Sequence, residues 1–375
     1  MSALQEDWRV LRGLFPAGWE ELGRSTGAVT RLRGFDSLES LLRTLLLHVG
    51  CGWSLRETSV QAKLAGIADV SDVTLMTRLR QSEDWLRQMC QQLWTDSGVD
   101  LEPALKGIPV RLIDATLVRE PGKTGGLWRI HYSIRLPSLE CDHVELTPTR
   151  GKNTGEKLGR FDFRAGELVL ADAGYCHPPG VAAVVRAHAD VCVRLNPASL
   201  PLLDRQGHRF PLLERIGTLQ LSGVTAEWPV QVLVGDQRIA GRLCAVRKSE
   251  DAIRRAQRRV DKKLQRRASS ATPETREYAN YVLVFTTLTK QKAATRDVLE
   301  YYRFRWQIEL TFKRLKSIAQ LGHIPKHDPQ SIRAWLYGKL LVALLTQKLI
   351  RAGQTFSPWG YYWPAEEDSD AKPLA

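Results

Sequence analysis

The sequence lacks any long apolar run, and its cysteines are few and scattered. The best apolar stretch, residues 44–55, falls short of the roughly 18–20 residues that a membrane span needs. The N-terminus has no basic segment followed by an apolar one, so we expect no signal peptide and a soluble, cytoplasmic protein. The six cysteines form no Cys-x-x-Cys pair, which excludes a zinc ribbon or a disulfide framework. They are predicted to be reduced and mostly buried, and Cys176-His177 supplies at most half of a metal site.

Several familiar catalytic motifs are also missing. The glycine-rich segment at 122–126 (GKTGG) lacks the spacing of a P-loop, and we find neither a Gly-x-Ser-x-Gly elbow nor a His-Glu-x-x-His zinc motif. These absences argue against a P-loop nucleotidase, an α/β-hydrolase and a zinc protease.

Positive charge is in excess and is concentrated in one segment. The 375 residues include 54 Lys and Arg against 41 Asp and Glu, a net charge of +13. Residues 247–267 hold ten of the basic residues and three acids, and basic doublets recur there every four residues, which places Arg258, Arg259, Lys262 and Lys263 on one stripe of a helix. Like charges four residues apart destabilise an isolated helix, and a row of DNA phosphates would compensate. A solvated charged helix or a disordered linker is the alternative.

The pattern of apolar residues predicts an α/β protein with a mixed sheet, preceded by a helical region. Residues 1–105 are predicted to form a helical, DNA-binding domain. Residues 106–196 and 280–353 are predicted to form the two parts of the catalytic core. A β-rich insertion with the basic helix, 197–279, separates them, and 354–375 form an acidic tail. The insertion includes short strands predicted at 218–221, 230–234 and 243–246.

Residues 54–80 are typical of two short helices joined by a turn. Ser54 is predicted to cap the first helix, Gly66 to break it, and Ser71 or Asp72 to begin the second. Such a pair can be a helix-turn-helix that places its second helix in a DNA groove. A plain helical hairpin fits the same pattern.

Two aspartates follow short apolar runs. Asp114 ends the run IPVRLID, and Asp172 follows the buried run LVLA. Both are therefore predicted to lie at strand ends. Between these runs, strict alternation over 128–136 predicts a half-buried strand.

A third acid lies on a helix predicted over 295–319. At about 100° per residue, Tyr302, Arg305, Glu309, Phe312 and Lys316 share a stripe about 80° wide, beside an apolar seam. Taken alone, the stripe fits ordinary surface ion pairs equally well.

The spacing of this stripe is more specific than its composition. The pattern Tyr302-x2-Arg305-x3-Glu309-x6-Lys316 resembles the Tyr-Arg-Glu-Lys signature of the DDE transposases of the insertion-sequence-four family. The resemblance covers roughly residues 54–350 and implies a ribonuclease-H-like core with a β-rich insertion before the glutamate.

The aspartates agree with the same family. Asp114 in I-D-A-T resembles its first aspartate, and Asp172 in A-D-A-G-Y resembles its second, although Ala173 stands where the family usually has arginine. The resemblance implies that Asp114, Asp172 and Glu309 are catalytic and hold two Mg²⁺ ions, with Mn²⁺ as the other candidate. Oxygen ligands and a pair of ions suit phosphodiester transfer.

The resemblance also implies partners and further site residues. Tyr302, Arg305 and Lys316 would bind DNA phosphates, and Trp306 and Phe312 would stack on an unpaired base, although Trp306 can equally pack against the sheet. The expected substrates are the terminal inverted repeats of the element and target DNA. The expected reaction is cut-and-paste transposition through a DNA hairpin intermediate. Two protomers are expected in the DNA complex, and the protein is expected on the bacterial nucleoid.

Other interpretations fit the sequence. A catalytically silent DNA-binding derivative and a metal-dependent nuclease without strand transfer would share most of these motifs. A separate metal site is conceivable where four polar residues cluster at Glu140, Asp142, His143 and Glu145. His131, on a strand, is predicted to be structural rather than a base.

Overall fold

The computed structural model describes residues 3–95, 105–122, 126–265, 272–317, 319–322, 324–326 and 328–356. Its strands form one eight-stranded mixed sheet in the order β3-β2-β1-β4-β5-β8-β7-β6. The strands are β1 Val110–Arg119, β2 Leu127–Leu136, β3 Cys141–Pro148, β4 Leu168–Ala171, β5 Asp190–Arg194, β6 Thr225–Val234, β7 Gln237–Arg247 and β8 Tyr281–Thr286. The predicted α/β class with a mixed sheet is confirmed.

Helices precede the sheet, as predicted for the first hundred residues. They are α1 Ala3–Arg12, α2 Trp19–Ser25, α3 Leu38–Cys51, α4 Leu55–Leu64, α5 Asp72–Gln81 and α6 Glu83–Thr95. The Ser54 hydroxyl accepts a hydrogen bond from the Glu57 amide, and Ser71 caps α5 through the Thr74 amide. Gly66 ends the first helix at φ 65°, a backbone conformation that favours glycine. The predicted pair of short helices about a glycine turn is therefore present.

The later helices alternate with the strands and then close the chain. They are α7 Pro178–Arg186, α8 Leu212–Gly217, α9 Glu250–Gln265, α10 Pro273–Tyr278, α11 Thr295–Arg303, α12 Trp306–Ser317 and α13 Pro329–Phe356. No helix in the described ranges is both long and apolar enough to cross a bilayer. The acidic tail predicted at 354–375 lies almost wholly outside the described residues, as do Arg266 and Arg267 of the basic segment.

The sheet separates two apolar cores because its side chains alternate between its faces. Leu112 and Leu170 join the core formed with α3, α6 and α13, whereas Ile113 and Val169 join the core under α7 and α8. The same core includes Tyr302 of α11 and Ile308 of α12. Asp114 and Asp172, two residues after Leu112 and Leu170, therefore lie on the face of the sheet towards these helices.

The predicted insertion does not form a sheet of its own. Its hairpin, β6 and β7, pairs with β8 and so extends the main sheet. The strand predicted at 218–221 is wrong, because the preceding residues form α8 and Thr218 is its C-terminal cap. Leu212 and Ile216, four residues apart, are both buried and hold that helix against the core.

The single helix predicted over 295–319 is also wrong, since it is divided into α11 and α12. The amides of Phe304, Arg305 and Gln307 each bond to the carbonyl three residues earlier, at 3.0, 3.2 and 3.0 Å. These tight 3₁₀-type bonds replace the regular helical ones at the junction. Tyr302, just before the break, contacts Asp172, and Arg305, within the break, contacts Asp114.

Five of the six cysteines are buried, Cys51 is exposed, and all six are free. The prediction of reduced, mostly buried thiols is confirmed. His131 is fully buried, with its Nε2 at 3.0 Å from the Thr147 hydroxyl, in agreement with a structural role.

Candidate active site

The register of two parallel strands brings the two aspartates together. Ile113 of β1 pairs with Ala171 of β4, so the next residues, Asp114 and Asp172, leave this pairing side by side. Neighbouring strands lie about 4.8 Å apart, which makes these carboxylates neighbours on the face towards α11 and α12. The prediction that Asp114 ends its strand is wrong, because β1 continues to Arg119 through its pairing with β2.

Arg305 connects the first aspartate to the glutamate. Its Nη1 lies 3.4 Å from Asp114 Oδ2, and its Nη2 lies 2.5 Å from Glu309 Oε1. The Tyr302 hydroxyl donates to Asp172 Oδ1 at 3.3 Å. The two residues that flank the helix break thus contact all three carboxylates predicted to be catalytic.

The electrostatics of Asp114 differ from those of a surface carboxylate. Burial raises the pKa of Asp114 to about 7, with further upward contributions from the charges of Asp172 and Glu156. The Ala115 amide and Arg305 act in the opposite direction. Because a buried carboxylate with acidic neighbours favours a cation beside it, Asp114 is the part of this site best suited to bind one.

The residues present fit a divalent metal in chemistry but not in their present spacing. Within the ranges that the structure covers, no three His, Cys, Asp or Glu side chains are grouped closely enough to hold a metal ion. The Arg305 guanidinium instead lies between Asp114 and Glu309, and its buried Nε has no hydrogen-bond partner among the residues described. A cation shared by these carboxylates requires that guanidinium to move away.

A basic cavity of about 810 Å³ adjoins the carboxylates. The basic helix α9 contributes Arg255 and Arg259 to its wall, and Trp306 contributes a ring that is 49% exposed. Burial, together with the charges of Arg194 and Arg259, lowers the pKa of Lys248, which also lines the cavity, to about 8. The cavity is thus suited to a polyanion that also presents an aromatic or base surface.

Comparisons with known proteins identify the family of this chain. Residues 149–345 match the family described as the transposase DDE domain. The chain is 31% identical over 349 residues to InsL of insertion sequence element IS186A from Escherichia coli K12, with 92% of this chain and 93% of InsL covered. It is also 31% identical over 350 residues to the transposase of element IS421 from Escherichia coli, with 92% and 93% covered.

The chain belongs to the DDE transposase family. A more distant relative, the transposase of element IS231C from Bacillus thuringiensis subsp. berliner, is 22% identical over 373 residues, covering 89% of this chain and 77% of that protein. The chain is therefore a transposase by family, and its mixed sheet with flanking helices is consistent with the ribonuclease-H-like DDE fold. The family match includes Asp172 and Glu309, whereas Asp114 precedes it.

The other residues predicted to contact DNA are placed differently. Arg258, Arg259 and Lys262 are exposed on α9, and the side chain of Lys263 lies outside the described residues. Lys316 is half-buried near the end of α12, and burial lowers its pKa. Phe312 cannot stack on a base, because it is buried and packs edge-on against Tyr132 at 5.8 Å.

The alternative metal site at residues 140–145 is not supported, because each of its acids is occupied by an arginine. Asp142 lies between Arg111 and Arg135, at 3.1 and 2.7 Å. Glu145 pairs with Arg160 at 2.6 Å, and Glu140 pairs with Arg351 at 3.0 Å. These contacts give the acids a structural role.

Sequence reasoning gave no site role to four cations of the basic cavity: Arg194, Lys248, Arg296 and Arg303. The first two lie at the end of β5 and just before α9, and the other two lie on α11. The fold brings these residues together from distant parts of the chain, so the sequence did not show that they share one cavity.

Proposed function

We propose that this chain is a cut-and-paste transposase of the insertion-sequence-four type, which cleaves DNA at the ends of its element and joins the 3′-hydroxyls to target DNA. The observation that carries the proposal is the pairing of Arg305 with both Asp114 and Glu309, while Tyr302 bonds Asp172. Family membership supports the same class of reaction.

In this proposal Asp114, Asp172 and Glu309 hold two Mg²⁺ ions, and Mn²⁺ is the alternative. Bound ions of this kind stabilise the charge on the attacking and leaving oxygens of a phosphodiester. Arg305 releases Asp114 and Glu309 and binds a DNA phosphate instead, so the positive charge of its guanidinium stays paired. Burial acts to lower the pKa of Arg305, but Tyr302 and Glu309 raise it by more. Arg305 therefore remains a cation throughout.

The remaining roles follow the shape of the site. Tyr302 and Lys316 bind phosphates beside the cleaved bond, and the exposed ring of Trp306 stacks on an unpaired base. The exposed cations Arg258, Arg259 and Lys262 bind the backbone of the terminal inverted repeat, together with Lys263. The second helix of the α4–α5 pair binds in a DNA groove. Two protomers act in one DNA complex, and cleavage passes through a DNA hairpin at the end of the element. The protein acts on the bacterial nucleoid.

The proposed organisation of the chain keeps the boundaries drawn from its sequence. Residues 1–105 bind DNA, and residues 106–196 and 280–353 form the catalytic core. The segment 197–279 inserts between the parts of the core and contributes the basic helix.

Cleavage is expected to depend on pH through Asp114. With a pKa of about 7, this carboxyl is protonated at lower pH and must lose its proton before it can ligate a metal. At limiting Mg²⁺ the cleavage rate should therefore rise about tenfold per pH unit up to about pH 7 and then level off. Saturating Mg²⁺ should move the inflection to lower pH, because metal competes with the proton. A flat profile between pH 6 and 8 at limiting Mg²⁺ would contradict this role of Asp114.

Strand transfer distinguishes the proposal from its two rivals. The wild-type chain, given pre-cleaved ends with free 3′-hydroxyls, Mg²⁺ and a supercoiled plasmid, is expected to give covalently joined products that a gel resolves. A nuclease without strand transfer would cut uncleaved ends and join none. A silent DNA-binding derivative would shift the DNA in a gel and produce neither product.

A further inference from the structure

Arg242 of β7 binds the loop that leads from β8 into α11. Its Nε donates to the Leu288 carbonyl at 2.8 Å, and its Nη2 donates to the carbonyls of Thr289 and Ala293 at 3.2 and 2.9 Å. Its Nη1 lies 2.7 Å from Glu227 Oε2 on the neighbouring strand β6. Every nitrogen of this guanidinium is therefore engaged, and three of its hydrogen bonds hold the backbone just before α11.

Glu227 connects the same loop to the first residue of α11. Its Oε2 accepts a hydrogen bond from the Thr295 hydroxyl at 2.5 Å, and its Oε1 lies 3.1 Å from Lys290 Nζ. Burial acts to raise the pKa of the Glu227 carboxyl, but the hydrogen bonds that it accepts lower that pKa below its ordinary value. Glu227 is therefore an ionised acceptor at neutral pH, and hydrogen bonds to a charged group are the stronger ones.

The hairpin that carries these two residues is closely packed against β8. Arg242 pairs with Thr286, and Leu243 pairs with Phe285. A Cβ built on Gly241 would lie 2.6 Å from the Phe285 ring and 2.8 Å from the Thr286 carbonyl, so the two strands approach here as closely as only glycine allows. Arg242 consequently reaches the loop from a strand whose position the main sheet fixes.

The start of α11 is connected to the active site through the helix itself. Tyr302 lies about two helical turns after Thr295, and its hydroxyl donates to Asp172. Arg305 follows in the break before α12 and contacts Asp114. Because a helix moves as a unit, a shift of its first turn would displace both of these contacts.

We propose that Arg242 and Glu227 are positioning residues, which hold the start of α11 and thereby direct Tyr302 towards the catalytic carboxylates. Arg305, which follows on the same segment, is positioned in the same way. Since β7 leads into α9, the insertion has a second role besides DNA binding, which is to set the geometry of the site. This inference rests on the proposed metal-dependent cleavage.

The first test compares the cleavage rate with DNA affinity. Arg242→Met keeps an unbranched side chain but removes its charge and hydrogen bonds, and it should slow single-turnover cleavage of a labelled element end by about 30- to 100-fold. The dissociation constant for the same DNA in EDTA should stay within about threefold of the wild type. Lys106→Gln, which breaks an exposed ion pair with Asp297 in the first turn of α11, is the control and should cleave within about twofold of the wild type.

A milder pair of variants tests the contact without removing a charge. Thr295→Val deletes only the hydroxyl that bonds Glu227, and it should slow cleavage by about three- to tenfold. Thr295→Ser keeps the hydroxyl and should restore the wild-type rate. A rate for Thr295→Ser no better than that for Thr295→Val would overturn the inference. Equal losses of DNA affinity and cleavage rate in Arg242→Met would do the same.

Hydrogen exchange separates this inference from the activity on which it rests. On the full chain without DNA, the amides of 295–303 should exchange at least about tenfold faster in Arg242→Met than in the wild type, whereas those of β1 and β4 should not change. Unchanged exchange in α11 would overturn the inference, whatever the cleavage rates show. Absence of metal-dependent cleavage by the wild type would instead overturn the proposed function, and the exchange rates would still show whether Arg242 holds α11.

Discussion

Asp114→Asn is expected to lower the rate of DNA-end cleavage by at least about a thousandfold, which corresponds to about 4 kcal/mol of lost transition-state stabilisation. Asparagine has nearly the same shape but no charge, so it cannot balance a cation beside Asp172. It also removes the carboxylate whose pKa burial raises to about 7, with smaller upward contributions from its acidic neighbours. Asp172→Asn is expected to have an effect of the same size. Single-turnover cleavage of a labelled element end measures both.

DNA binding provides the internal check for these variants. Neither aspartate needs to contact the DNA backbone directly, so a gel shift in EDTA should give dissociation constants within about threefold of the wild type. Asp236→Asn, in the exposed turn between β6 and β7, is the matched control and should cleave normally. If Asp114→Asn cleaved at a rate near that of the wild type, the assignment of the catalytic carboxylates would be wrong.

Neutralising the basic face of α9 is expected to weaken DNA binding by about ten- to a thousandfold. The variant replaces four residues by glutamine: Arg258, Arg259, Lys262 and Lys263. Loss of up to four phosphate contacts should also reduce the slope of log K against log salt by up to about 3 to 4. Titrations of a labelled terminal repeat at several salt concentrations measure both quantities.

The control for this variant removes the same charge elsewhere. Arg205, Arg209, Arg215 and Arg238 are exposed in other elements of the insertion, and their replacement by glutamine should leave the salt dependence nearly unchanged. Equal losses for the two quadruple variants would mean that net charge alone, and not the face of α9, binds DNA. An unchanged slope for the α9 variant would make this helix merely a solvated one.

The parts of the site that follow from strand patterns could be predicted from the sequence. Short apolar runs before Asp114 and Asp172 indicate strands, and the parallel register makes the two carboxylates neighbours. The spacing from Tyr302 to Lys316 carries the resemblance to the Tyr-Arg-Glu-Lys signature. These features are local, so a single sequence contains them.

The break between α11 and α12 could not be predicted, because no glycine or proline marks it. Residues 301–306 are aromatic or arginine and favour a continuous helix on local grounds. In the structure, the contacts of Tyr302 with Asp172 and of Arg305 with Asp114 stabilise the tight turn instead. Tertiary contacts have thus overridden the local preference.

Glu156, whose charge contributes to the raised pKa of Asp114, was not singled out in the sequence for a related reason. It lies in a glycine-containing segment with no periodic pattern, and it reaches Gly174 only through the fold. The strand predicted at 218–221 is wrong because the alternation of its apolar residues was interpreted without the preceding helix α8. Both cases depend on packing partners that are distant in sequence.

The central claim is that Glu309 acts with the two aspartates in metal-dependent cleavage, and one measurement tests it directly. The Glu309 side chain is 52% exposed, so Glu309→Gln should not disturb the core. Cleavage of a labelled element end is measured for the wild type with Mg²⁺, for the wild type with EDTA, and for Glu309→Gln with Mg²⁺. We expect cleavage only in the first reaction, with DNA binding retained in all three. Cleavage in EDTA, or undiminished cleavage by Glu309→Gln, would contradict the account.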